Sequence, residues 1–266
     1  MASVASDRPD WNWYQRAAEE AAAGRLDAAE QIAQDALDSG HLWRASLLGS
    51  PAFEKLNGRD RFERVRAEAA RRVEARNLKP KVLVASPHRS TAAPLLLVLH
   101  GARGNAADEL ERWRPATELG FIVAAAQSSQ PATEDGFCWD PPRSRVWEDL
   151  RAIVPMLPPH ARVVSAGFSQ GAWVALNLAL EGNLLISGSV LMVGPFAAAD
   201  PDLPRGWRRL KVSILIGEND PYLAPVQGLA SQLEERQHHV SLEVISGLGH
   251  AYPRDFQARL RGLLRP

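Results

Sequence analysis

The sequence predicts an α/β protein: a mostly parallel, twisted sheet with helices on both faces, preceded by a small all-helical region. Three observations carry this. From about residue 79 onward, short β-branched or wholly apolar runs alternate with segments of helical period, the pattern of strand–helix–strand units. The run Leu95–Leu99 is apolar at every position, as befits a strand covered on both faces. Residues 10–76, by contrast, keep a helical period and hold no convincing strand.

In chain order, the first helix carries Trp11, Tyr14, Ala17, Ala18, Ala21 and Ala22 on one face and ends at Gly24. The second carries Leu26, Ala29, Ile32, Ala33, Ala36 and Leu37 and ends at Gly40, and a third, Arg59 to Arg76, presents Phe62, Val65, Ala69 and Val73. Residues 1–53 hold four basic against eight acidic side chains and residues 54–81 ten against five, so the two parts attract when packed. The basic helix has two readings, a solvated face or a patch for an anionic partner. The alanine-rich pair around Gly24 resembles one tetratricopeptide-type hairpin, but no second copy follows and a lone unit cannot stack. The boundary is placed after residue 78, giving a helical accessory region, 1–78, and an α/β region, 79–266.

Strands are expected at Val82–Ala85, Leu95–Leu99, Phe121–Ala126, Val163–Ala166, Ser189–Val193, Val212–Ile216 and Leu242–Ile245. Helices are expected at roughly Ala106–Leu119, Val146–Met156, Gln170–Leu180, Val226–Arg236 and Arg254–Leu264. The 266 residues balance 31 basic against 31 acidic side chains, so no global field draws the chain to nucleic acid or an anionic membrane. One cysteine, Cys138, excludes an internal disulfide and a four-cysteine zinc site. With a polar start, no apolar run long enough to span a bilayer and no H-E-x-x-H, the expectation is a cytoplasmic protein without cofactor or catalytic metal.

Ligands of such sheets sit at the carboxyl ends of the strands, which directs attention to the loops there. Gly167-Phe168-Ser169-Gln170-Gly171 joins a strand to a helix and reads as a nucleophile elbow. A serine on so sharp a turn needs neighbours with little side chain two positions away, and Gly167 and Gly171 meet that need. The plainer reading is a glycine-rich turn whose serine caps a helix. After Leu99 comes His100-Gly101-Ala102-Arg103-Gly104-Asn105, a turn whose Ala102 N–H, with the N–H of Gln170, suits an oxyanion hole. It lacks the lysine of a phosphate-binding P-loop and the G-x-G-x-x-G of a dinucleotide site. Asp220, in Gly217-Glu218-Asn219-Asp220-Pro221, and His250, in Gly247-Leu248-Gly249-His250, follow later strands, with Glu218 and Asp202 as fallback acids. Ser169, Asp220 and His250 thus stand in the order serine, acid, histidine, as an imidazole that activates a hydroxyl and a carboxylate that orients it require. Singly, Asp220 also reads as a turn residue and His250 as a loop histidine. His100 sits on the strand side of its glycine and reads as a buried turn residue.

These pieces, Leu99-His100-Gly101, Gly-Phe-Ser-Gln-Gly at 167–171, Gly217–Pro221, Gly249-His250 and Trp139-Asp140 ahead of the elbow, resemble the phospholipase/carboxylesterase group of α/β-hydrolases, which includes acyl-protein thioesterases. The resemblance covers residues 81–266. It implies the α/β-hydrolase fold and a cofactor-free serine hydrolase of carboxylic esters or thioesters, with Ser169, Asp220 and His250 as triad and Ala102 and Gln170 as oxyanion donors. Three departures stand out. Ala102-Arg103 replaces a bulky apolar residue followed by glycine and aspartate, Ala172 stands where a further glycine is common, and the helical region has no counterpart in the minimal fold.

The expected reaction passes through an acyl-enzyme on a small-molecule substrate. Arg103, Trp139, Phe196, Tyr222 and Tyr252 are the candidate pocket residues, and Arg103 either binds a substrate anion or pairs with Asp108 or Glu109. Two rivals remain: a serine peptidase or aminoacyl-ester hydrolase on the same triad, and a non-catalytic binding protein that recognises a partner through the helices. Trp11, Trp13, Trp43 and Phe53 would be unusually exposed if the helices packed on nothing, which suggests a protein partner or self-docking over the site.

Overall fold

Every strand expected from the apolar runs is present in the computed structural model, which describes residues 9–88, 93–140, 143–182, 186–196 and 209–264. The elements are α1 (Pro9–Ala22), α2 (Leu26–Asp38), α3 (Ala45–Leu48), α4 (Asp60–Ala75), β1 (Lys81–Ala85), β2 (Leu95–Leu99), α5 (Ala106–Trp113), β3 (Ile122–Gln127), α6 (Arg143–Ile153), β4 (Val163–Phe168), α7 (Gln170–Glu181), β5 (Ile186–Val193), β6 (Lys211–Gly217), α8 (Leu223–Glu235), β7 (His239–Ile245) and α9 (Phe256–Leu263). Short 3₁₀ turns at Pro51–Leu56, Arg114–Leu119 and Val154–Met156 accompany them. Among the described residues no helix is long and apolar enough to cross a membrane.

The chain forms two compact units, residues 1–79 with 129–137, and residues 80–128 with 138–266. In the helical unit the apolar faces meet as their spacing dictates: Ala17 and Ala21 of α1, Ala29, Ala33 and Ala36 of α2, and Phe62, Val65 and Ala69 of α4 are all buried. The small alanines leave room for large rings. Tyr14 meets Trp43 and Phe53 edge-on at 6.1 and 5.2 Å, and Phe53 lies 5.5 Å from Phe62. Trp43 and Phe53 are fully buried, and these ring contacts lie within the unit, so the exposure argument for docking these residues elsewhere falls away. The charge asymmetry also finds a use here, since Arg59 pairs with Asp27 and Glu30.

Residues 129–137 are not marked in the sequence as belonging with the helices. The Arg44 N–H donates to the Ala132 carbonyl at 2.8 Å, and Arg76 Nη1 donates to the Glu134 carbonyl at 3.1 Å. Where the excursion leaves and rejoins the sheet unit, Ser128 Oγ donates to the Cys138 carbonyl at 2.6 Å.

The sheet order is β1-β3-β2-β4-β5-β6-β7, with β1 antiparallel to β3 and every other pair parallel. The period of two sorts the side chains of β2: Leu95, Leu97 and Leu99 face a core shared with α6, α7 and α8, while Leu96 and Val98 face one shared with α5 and α9. Burying each such leucine contributes about 1.5–3 kcal/mol. In-register pairing then sets the site, because Leu99 lies opposite Gly167 and Gly217 opposite Ile245, so that the four loops after β2, β4, β6 and β7 open at one edge of the sheet.

Candidate active site

Ser169 stands between the last residue of β4 and the first of α7, with φ 50° and ψ −117°. A non-glycine residue there costs about 1–3 kcal/mol and persists only where its surroundings enforce it. Its flanking glycines do so by contact. A Cβ at Gly171 would overlap the carbonyl oxygens of Leu99 and His100, and one at Gly167 would lie 2.5 Å from the Gly171 carbonyl carbon. The backbone of Ser169 is fixed on both sides: its N–H donates to the Val193 carbonyl at 3.0 Å, and its carbonyl accepts from the N–H of Trp173 at 3.2 Å and of Phe196 at 3.3 Å.

The loops after β6 and β7 are laced together. The N–H of Glu218 donates to the Ile245 carbonyl at 2.9 Å and that of Asn219 to the Leu248 carbonyl at 2.8 Å. A Cβ at Gly217 would overlap the Leu248 carbonyl oxygen. The Glu218 carboxylate accepts from the Gly247 N–H at 2.9 Å and from Ser246 Oγ at 2.8 Å, bonds that hold its carboxyl below the usual range. Glu218 therefore fastens the two loops and does not face His250 as a spare acid.

This lacing brings Asp220 to His250. The Asp220 side chain is fully buried; Oδ1 accepts from the Tyr222 N–H at 2.9 Å and Oδ2 lies 2.8 Å from His250 Nδ1. His250 Nε2 lies 2.9 Å from Ser169 Oγ. With the imidazole neutral and its proton on Nδ1 toward the carboxylate, Nε2 is the acceptor for the serine hydroxyl. The ring is braced by Tyr222 at 5.3 Å and Phe168 at 5.1 Å, and Phe196, 40% exposed, packs edge-on against Tyr222 at 5.0 Å.

On the other side, the Gly104 N–H closes the turn after β2 on the Gly101 carbonyl at 2.9 Å, and Asn105 Oδ1 caps α5 by accepting from the Asp108 N–H at 2.8 Å. Ala102 is exposed, and so is Arg103, which has φ 64°. Among the described residues neither the Ala102 nor the Gln170 N–H is spent on a hydrogen bond within the protein. The Gln170 side chain is held by the Trp139-Asp140 pair: Oε1 accepts from the Trp139 N–H at 2.8 Å and Nε2 donates to Asp140 Oδ1 at 2.7 Å.

His100 is fully buried, its Nδ1 2.8 Å from the Gly101 carbonyl and its Nε2 accepting from the Ser128 N–H at 3.3 Å. Burial lowers its pKa to about 4, so it is neutral and committed to backbone groups. Trp139 stacks on His100 at 4.9 Å and donates its indole N–H to the His100 carbonyl at 3.0 Å, and it is a core side chain. Tyr252 turns its hydroxyl to Glu109 at 2.7 Å. Two candidate pocket residues, Trp139 and Tyr252, are thus occupied in the framework, while Tyr222 borders His250 and Phe196 packs on Tyr222. Glu109 is paired with Arg112 at 3.1 Å. Asp202 lies outside the described residues. Among the described residues no group of three or more histidine, cysteine or carboxylate side chains is placed to hold a metal ion.

No protein-family model matches the chain, and no curated protein matches it. Solved structures do. Esterase PE8 aligns over 70% of this chain and 100% of its own at 18% identity and a TM-score of 0.59. An α/β serine hydrolase homologue from Coxiella burnetii aligns over 69% of this chain and 88% of its own, at 18% identity and a TM-score of 0.51. An uncharacterised protein from Bacillus cereus aligns over 96% of this chain and 86% of its own, at 20% identity and a TM-score of 0.55. At such identities the likeness speaks for the fold, which is that of the α/β-hydrolases. The Bacillus cereus match is too long to be confined to the sheet unit and takes in helical residues as well.

Proposed function

We propose that the protein is a serine hydrolase of carboxylic esters or thioesters, working through an acyl-enzyme. The observation that carries this is the unbroken chain from Ser169 Oγ through His250 to Asp220, at 2.9 and 2.8 Å, on a serine held at positive φ. A helix-capping serine needs neither the imidazole nor the strain. That the esterase PE8 shares the fold agrees with the reading.

The residues divide the work in the usual sequence of acyl transfer. His250 Nε2 takes the hydroxyl proton as Ser169 Oγ attacks the carbonyl carbon, and Asp220 stabilises the imidazolium that results. The negative oxygen of the tetrahedral intermediate is received by the Ala102 and Gln170 N–H groups, each such donor worth about 3 kcal/mol of transition-state stabilisation. Imidazolium returns the proton to the departing alcohol or thiol, and water repeats the cycle through the same base to free the acid. Phe196 and Tyr222 supply an apolar wall beside His250 for the substrate.

A fluorophosphonate probe, with p-nitrophenyl and thioester substrates of graded acyl length, tests the proposal. Wild-type protein is expected to label and to turn over, and Ser169→Ala to lose labelling while keeping its fold, with turnover down by about 10⁴-fold or more. A folded wild type that neither labels nor turns over any member of the series would overturn it.

A further inference from the structure

Glu109 is buried, 3% exposed, and no step above uses it. It lies on α5, the helix entered from the Ala102 turn, and its carboxylate collects three donors. Tyr252 Oη–H donates to Oε2 at 2.7 Å and Trp113 Nε1–H to the same oxygen at 3.1 Å, while Arg112 Nη1 donates to Oε1 at 3.1 Å. Burial pushes this carboxyl up, and the Arg112 charge and the other two donors oppose that. Burial and the neighbouring carboxylate raise the Tyr252 hydroxyl as well, which keeps it a donor.

Tyr252 follows His250 by two residues. Its ring stacks on Phe168 at 4.8 Å with 25° between the planes, and Arg112 lies over it, 4.3 Å from the centroid. Phe168, the residue before the serine, also packs 5.1 Å from the His250 ring. Its other edge presses on the oxyanion turn so closely that a Cβ at Gly101 would come 2.8 Å from Phe168 Cδ1. The contacts therefore close a circuit: the Gly101–Ala102 turn, Phe168 beside the nucleophile, Tyr252 beside the base, then Glu109 and back along α5 to the same turn.

We infer that Glu109 is a positioning residue: by holding Tyr252 it sets where the His250 loop stands relative to Ser169 and the Ala102 N–H. The inference rests on the hydrolase reading above. A carboxylate that merely stabilised this side of the sheet would lower the melting temperature and leave the folded enzyme's turnover alone. One that positions the base lowers kcat with KM little changed, since misplacing a reacting group by about 1 Å costs on the order of 100-fold.

The test uses full-length Glu109→Gln, Tyr252→Phe and the double variant, read by the second-order rate of fluorophosphonate labelling, by kcat and KM on a p-nitrophenyl ester, and by thermal melting. Each single change is expected to lower labelling rate and kcat by about 10- to 100-fold with KM within about twofold. The double variant is expected to be no worse than the weaker single one, because both act on the same bond, which Tyr252→Phe removes and Glu109→Gln reduces to one between neutral groups. Should Glu109→Gln not fold, Tyr252→Phe, which removes one hydroxyl, decides the matter. Wild-type labelling rate and kcat in a folded Tyr252→Phe, whatever its melting temperature, overturn the inference, as do losses that multiply in the double variant. A wild type that does not label overturns the hydrolase reading and this inference with it, a result distinct from labelling that the variants leave untouched.

Discussion

Gly24, Gly40 and Gly58 of the helical unit have positive φ and open space where a Cβ would stand, whereas Gly167, Gly171 and Gly217 of the sheet unit have ordinary φ and no space at all. In the first set the absent side chain frees a dihedral angle so that a helix or turn can end. In the second it lets two pieces of backbone touch. The helical unit is thus assembled by its side chains, with aromatic rings filling the room that alanines leave, and its loops need only turn. The rim around Ser169 is assembled main chain against main chain, with little slack at Leu99–Gly171 or Gly217–Leu248. A site that must hold three groups within tenths of an ångström gains from parts that have no rotamers to choose among.

Four substitutions or conditions probe this contrast. Gly171→Ala drives a methyl into two carbonyl oxygens and is expected to cost more than about 4 kcal/mol, or to abolish folding, with probe labelling lost. Phe53→Ala, in the ring cluster of the helical unit, is expected to cost about 3–5 kcal/mol in urea or thermal denaturation. The pH dependence of stability reports on His100, whose pKa burial holds at about 4. Its folded pKa of about 4 lies below the unfolded value near 6.5, so the unfolded chain takes up the proton first as pH falls. The stability present above about pH 6.5 is then lost toward pH 4, by about 3 kcal/mol in all, and a His100→Gln variant is expected to flatten that window. The smallest effect belongs to Gly24→Ala, about 1–2 kcal/mol from φ alone with no clash. A Gly24→Ala cost as large as that of Gly171→Ala would erase the distinction between the two kinds of glycine.

What the sequence made legible follows the same division. The strands were readable because β2 is covered on both faces and wholly apolar, and β4 and β6 are buried and mostly so, and the pairing of Ser169 with His250 was readable because each stands in a loop that follows a strand. The antiparallel edge of β1 was not, since Val82–Ala85 has the same composition in either direction. Tyr252 shows the limit most clearly. Its place two residues after His250 suggested a pocket wall, and only the approach of Glu109 from 143 positions away turns it into an anchor. The cap of α5, Asn105 Oδ1 accepting from the Asp108 N–H, is a local signal that the helical period alone does not use. Nothing local marks residues 129–137 as companions of the helices, because the Arg44 N–H and the Arg76 guanidinium bond backbone carbonyls that any sequence supplies, and the Arg44 guanidinium meets Gln130 Oε1 from 86 positions away.

That excursion bears on how the protein can be taken apart. The polypeptide passes from one compact unit to the other three times, after residues 79, 128 and 137, so no single cut separates them. A chain begun at residue 80 would keep nine residues, 129–137, stripped of their donors, and the released helices would leave the Arg44 amide without its carbonyl. Point changes in the intact polypeptide, rather than truncations, are the sound way to ask what the helices contribute to turnover.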